Sequence, residues 1–223
     1  MKKNKNINKK INIYLTLTAL ALCVIVILVI AFNVFSIMFG KGAGSGDTVD
    51  LDSNSSMKND QYIIGNNPTD YSIEVFDELT KSLETNDQLE ISANVVKAFV
   101  ADYFTWTNKD GTYEVGGLQY LYGPQFVMYD VRSRWTFYSD LDVYIEKYGR
   151  DKLLEVDSIN ITTKEDGGYF KIGYTEYKAY YIVAEWTYKD AAFDTSEFQK
   201  TGYFTVIDNN GRLEIVQFYD NYD

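Results

Sequence analysis

The chain has no histidine, and its one cysteine, Cys23, sits inside an apolar run near the N-terminus. Ser-His-Asp and Cys-His catalysis need an imidazole to carry the proton, so both are excluded. Zinc, haem and iron–sulfur sites lack their usual His and Cys ligands. No disulfide can staple the folded part, which must be held by its core; about 150 residues are enough for that. No phosphate loop of the form G-x-x-x-x-G-K is present, nor a strand-linked G-x-G-x-x-G. Asp208-Asn209-Asn210-Gly211 lacks the alternating acids and the distal glutamate of a calcium loop, so it reads as a turn. No cofactor or metal is expected.

Charge is missing from a second place. Ile11 to Gly40 carries none, and its centre reads Ala19-Leu20-Ala21-Leu22-Cys23-Val24-Ile25-Val26-Ile27-Leu28-Val29-Ile30-Ala31-Phe32. A bilayer core about 30 Å thick needs about 20 apolar helical residues, which this run supplies. Lys2, Lys3, Lys5, Lys9 and Lys10 precede it, and no acidic residue occurs before Asp47. A short basic flank stays cytoplasmic, so the rest is exported. The apolar core is longer than the 7–15 residues or so of a cleaved signal peptide, and Leu22 stands where a lipobox needs a small residue before Cys23. The reading is therefore an uncleaved single-pass anchor: a cytoplasmic tail at 1–10, a membrane helix at 11–39, a linker at 40–69 and an extracytoplasmic domain at 70–223.

Only six of the 21 basic residues and none of the 32 acidic ones lie in the first 41 positions, so the exported part has a formal charge of −17. A field of that sign repels nucleic acid, which is not expected as a partner. The bilayer is one expected partner. Envelope proteins, or a second copy of the chain, are the others.

Gly40-Lys41-Gly42-Ala43-Gly44-Ser45-Gly46 reads as flexible, and Asp52-Ser53-Asn54-Ser55-Ser56 continues it. Ile73, Phe76, Leu79 and Leu83 have helical spacing. Thr85 with Gln88, or Asp87, opens a longer helix that buries Leu89, Val96, Phe99, Val100, Tyr103 and Phe104 and stops before Asn108. Pro124 begins another, to about Tyr138. Ser139 and Asp142 open a short one that ends at Gly149. The period then changes. Leu154 to Thr163 alternates, with a phase shift near Ser158 that predicts a bulge. Asp166-Gly167-Gly168 predicts a hairpin turn. Tyr180, Ile182, Ala184, Trp186 and Tyr188 alternate, and Asn209-Asn210-Gly211 is the strongest hairpin signal. Helices followed by four or five antiparallel strands give an α+β fold.

Helices before a bulged antiparallel meander resemble the nuclear transport factor 2-like (cystatin-like) fold, in which a bent sheet wraps the helices around a conical pocket. A basic tail, one span, a linker and such a domain also resemble the TcpC-type single-span subunits of conjugative type IV secretion channels. The block Asp102-Tyr103-Phe104-Thr105-Trp106-Thr107-Asn108-Lys109, with Val115-Gly116-Gly117-Leu118-Gln119-Tyr120, is similar to a block in uncharacterised single-span proteins of Gram-positive bacteria. The resemblance implies a non-enzymatic scaffold or docking subunit of an envelope assembly, with conjugative secretion as the example.

Tyrosine supplies rigid amphipathic area, and 16% of the chain is aromatic. Asp102, Tyr103, Trp106, Tyr177, Tyr181 and Trp186 are the candidate binding residues. Trp186 lies on the face of its strand that would form the core, whereas Tyr177 and Tyr181 lie on the opposite phase and suit an interface. Arg132 and Arg134 are expected to pair internally, with binding of an acidic partner as the alternative. An aromatic pocket for cell-wall carbohydrate is the alternative reading. A third, implied by isomerases of the same fold, is a lyase or isomerase with Asp102 as base and a buried tyrosine as oxyanion donor.

Overall fold

A computed structural model of the chain describes residues 57–220. The expected tail and span lie outside the described residues. Among those described, no helix is long and apolar enough to cross a membrane.

The domain is α+β: four helices, then a four-stranded antiparallel sheet in the order β1-β2-β3-β4. Helix α1 (Asp70–Ser82) starts where the Thr69 hydroxyl accepts from the Ser72 N–H at 3.1 Å, and it buries Val75, Phe76 and Leu79. Helix α2 (Gln88–Tyr103) is capped by Asp87, whose carboxylate accepts from the Leu89 and Glu90 N–H groups. Most of α2 is buried, including Val95, Val96, Phe99 and Val100, as suits a helix between a sheet and α1. Pro124 falls in a 3-10 turn, and helix α3 proper runs from Phe126 to Trp135. Helix α4 (Leu141–Tyr148) stops at Gly149, which has φ +82. Asp142 does not cap it; that carboxylate accepts from the N–H and hydroxyl of Thr112.

Strands β1 (Val156–Ile172) and β2 (Thr175–Tyr188) form a long hairpin, followed by β3 (Thr201–Asn209) and β4 (Arg212–Tyr219). The bulge expected near Ser158 is present between Val156 and Ser158. The hairpin turn expected at Asp166-Gly167-Gly168 is not there. Those residues form another bulge inside β1, and the chain reverses at Gly173-Tyr174, between paired Ile172 and Thr175. A glycine pair serves a bulge as well as a turn, because both need positive φ; Gly168 has φ +71 and Gly173 φ +60. The Asn210-Gly211 turn stands as expected, with φ +57 and +89 between paired Asn209 and Arg212.

Tyr180, Ile182, Ala184, Trp186, Phe204, Val206, Leu213 and Ile215 form the inner sheet face and join the main core with α2. A smaller cluster of Ala179, Ile207 and Val216 lies apart from it, packed by Tyr122, Phe170, Ile172 and Tyr177. Part of the stretch read as linker also belongs to the fold. Tyr62 is buried and its hydroxyl donates to the Leu213 carbonyl at 2.7 Å. Arg212 lies 4.5 Å over the Tyr62 ring and donates to the carbonyls of Gln61 and Gln119. The packed chain therefore includes residues 57–69, because polar, glycine- and asparagine-rich sequence hid one anchoring tyrosine.

Burial drives the Tyr62, Tyr120 and Tyr138 hydroxyls above their ordinary value of 10. The folded state then holds protons that the unfolded chain releases. Their stabilisation is complete below pH 10 and is lost as pH rises beyond it. In an alkaline titration, tyrosinate absorbance from these rings is expected to appear together with loss of the fold. Normal titration in a still-folded chain would contradict their burial.

Candidate functional site

Asp102 and Lys109 form a pair at 2.5 Å, with Lys109 almost wholly buried. The other Asp102 oxygen accepts from the Gly117 N–H at 2.7 Å. Gly116 and Gly117 are glycines for a reason. A Cβ on Gly116 would lie 2.4 Å from the Asp102 carbonyl oxygen, and Gly117 has φ +71. The pair thus ties the end of α2 to the 108–117 loop. The neighbouring space is about 10 Å³, room for about one water and no substrate. Tyr138 donates to the Tyr103 carbonyl at 2.6 Å and accepts from Gly116, so its hydroxyl is not directed at Asp102. The chemistry available here is that of a structural clamp.

Trp106 and Trp186, both named among the candidate binding residues, are buried in the core, Trp186 as the phase of its strand predicts. Trp106 packs against Phe137, Tyr144 and Phe198. Trp186 lies 4.4 Å from Phe104, and its indole N–H donates to the Tyr188 hydroxyl, which donates to the Gln199 carbonyl. Indoles of this size bury where a helix end meets a sheet, and the Asp102–Lys109 block is such a junction. Tyr177 and Tyr181 do share the other sheet face. Tyr177 packs edge-on against Tyr122, their ring centroids 6.1 Å apart. Tyr181 lines an open groove of about 850 Å³ with Thr163, Tyr203, Gln217 and Tyr219.

Tyr103 leads to a different place. Its ring stacks on Phe99 and Phe137, and its hydroxyl is 2.9 Å from the Ser133 hydroxyl. Ser133 is the one fully buried residue of α3. Tyr129, one turn earlier, stacks on Phe218 at 5.5 Å. These contacts fix the inner side of α3. Between that side and the end of β4 is a cavity of about 520 Å³. Tyr103, Phe104, Tyr129, Phe137 and Phe218 line it with Gln125, Arg132, Gln199 and Gln217.

The outer side of α3 is apolar as well. Val127 is 70% exposed, Val131 49% and Trp135 81%, at four-residue spacing that forms one stripe, and Met128 flanks it at 54%. Arg134 pairs with Asp130 on the same helix at 2.9 Å, so the stripe carries little net charge. Apolar surface on the side of a helix away from the core is surface that the fold itself does not cover. Helix α3 is covered on a single side.

No protein family, no curated protein and no solved structure matches this chain. The functional reading therefore rests on the geometry. The stripe was missing from the sequence-based candidates, yet a signal existed. Phe126-Val127-Met128-Tyr129 followed by Val131 and Trp135 puts apolar groups on two sides of a ten-residue helix, with Asp130, Arg132 and Arg134 between them, and one sheet can cover only one of those sides.

Proposed function

We propose that the chain is a membrane-anchored, non-enzymatic docking protein whose extracytoplasmic domain holds a second envelope protein on the outward face of α3. The observation that carries this is the stripe of Val127, Val131 and Trp135 on a helix packed from one side only. Contiguous exposed apolar surface of this kind marks interaction sites. With Arg134 neutralised by Asp130, the stripe selects an apolar partner face rather than a charged one. The uncharged run at 11–39 would hold the domain at the membrane, where a partner in the same bilayer meets it at raised effective concentration. Element order, helices then a bulged meander, supports a nuclear transport factor 2-like domain and an assembly of the conjugative-secretion kind. Ligand binding is a second reading, supported by the cavity beneath α3.

The test is site-specific photo-crosslinking of the full-length chain in its native membrane. A crosslinker at Val131 is expected to give one discrete protein adduct. The same probe at exposed Tyr169, on the β1–β2 hairpin and off the stripe, is expected to give none. Adducts to lipid alone, or equal adducts from both positions, would overturn the proposal.

A further inference from the structure

Of the four arginines among the described residues, three are ion-paired: Arg134 with Asp130, Arg150 with Asp110, and Arg212 with Glu214. Arg132 is the exception, and it lines the cavity beneath α3. The exported part carries 32 acidic residues against 15 basic ones, so an arginine that meets no carboxylate there is a local exception to the charge of the whole. A guanidinium is a planar fork that matches carboxylate and phosphate oxygens two at a time. Gln125 also lines the cavity. Part of the wall is rings in two stacks, Tyr103 on Phe137 and Tyr129 on Phe218, each with centroids 5.5 Å apart, and Ser133, Thr136, Gln199 and Gln217 make the rest largely polar. A volume of about 520 Å³ falls in the usual range for small-ligand sites.

We propose that this cavity binds a small organic monoanion: a ring-shaped apolar body lying on the aromatic part of the wall, with an anionic group on Arg132. A neutral sugar could accept from Arg132 but would leave its charge uncompensated. Asp220 also lines the cavity without forming an ion pair, and its charge opposes ligands of higher negative charge. The site deepens the ligand-binding reading. It is independent of the docking reading, because the stripe lies on the opposite side of the same helix.

The test is calorimetric titration of the full chain in phosphatidylcholine nanodiscs, with empty discs as blank. The probes are naphthalene-1-acetate and its uncharged analogue naphthalene-1-acetamide. The carboxylate is expected to bind at least about tenfold more tightly than the amide, as a charge-assisted contact gives. Arg132→Gln should remove that difference, and Arg134→Gln should keep it. Thr136→Trp, which places an indole in the cavity from an exposed position, should abolish binding of both probes. Equal affinity for the two probes, no carboxylate binding up to millimolar concentration, or indifference to Arg132→Gln or Thr136→Trp would overturn the proposal. A lipid phosphodiester carries the same chemistry. Loss of carboxylate binding in discs containing phosphatidylglycerol would assign the site to a headgroup, and retention would assign it to a free acid.

Discussion

Lys109→Met is expected to lower the stability of the domain by about 3–5 kcal/mol, the usual cost of leaving one member of a buried ion pair alone. Lys109 is 2% exposed, and Asp102 keeps only a small part of its side chain in solvent. Without the ammonium, the carboxylate retains a single neutral donor, the Gly117 N–H. Gly65 and Gly116 hold it in place, since a Cβ on either would come within 2.7 Å of a carboxylate oxygen, and the adjoining space has room for only about one water. The double variant Asp102→Asn/Lys109→Met removes both charges and keeps an acceptor for Gly117. It is expected to be more stable than Lys109→Met alone, a coupling of the kind seen between contacting residues. Denaturant unfolding of the full chain, followed by tryptophan fluorescence, measures all three proteins. A double variant less stable than the single would contradict the reading of Asp102 as a clamp. The loss should also depend little on salt, since a buried pair is weakly screened.

The second large effect is on docking alone. Trp135→Ala and Val131→Asp are expected to change stability by no more than about 0.5 kcal/mol, as exposed positions do. Binding to the partner should fall by about 2–4 kcal/mol, roughly 30- to 1000-fold, if Trp135 is an anchor of the usual strength. Crosslinked adduct and melting temperature, measured on the same membranes, separate the two. A variant that loses adduct only in proportion to lost fold would place the stripe in stability rather than in docking.

Most of the fold was legible because its signals are local. Asp87 before Gln88, the alternation of Tyr180 to Tyr188, and Asn210-Gly211 each report on a few neighbouring residues, and each stands in the structure. What failed depended on contacts far apart in the chain. Nothing near Tyr62 announces that Leu213 will accept its hydroxyl and Arg212 cover its ring. Asp166-Gly167-Gly168 has the composition of a turn, and only the register against Tyr180 and Ala179 makes it a bulge. The candidate site was harder still. Trp106 and Trp186 drew attention as large aromatic groups, but a tryptophan on the inner phase of a strand, or just past a buried helix, goes to the core. Arg132 and Arg134 were expected to pair internally, and only Arg134 does, because its i−4 neighbour is Asp130. Arg132 has Met128 at that spacing.

The most direct test of the docking account is hydroxyl-radical footprinting of Trp135. The side chain is 81% exposed in the isolated domain, so the purified full-length chain should oxidise there readily. In native membranes the account predicts strong protection of Trp135 and Met128, with exposed Tyr169 and Tyr174 oxidised as before. Equal oxidation of Trp135 in the two preparations would mean that nothing covers α3, and the docking function would have to be abandoned.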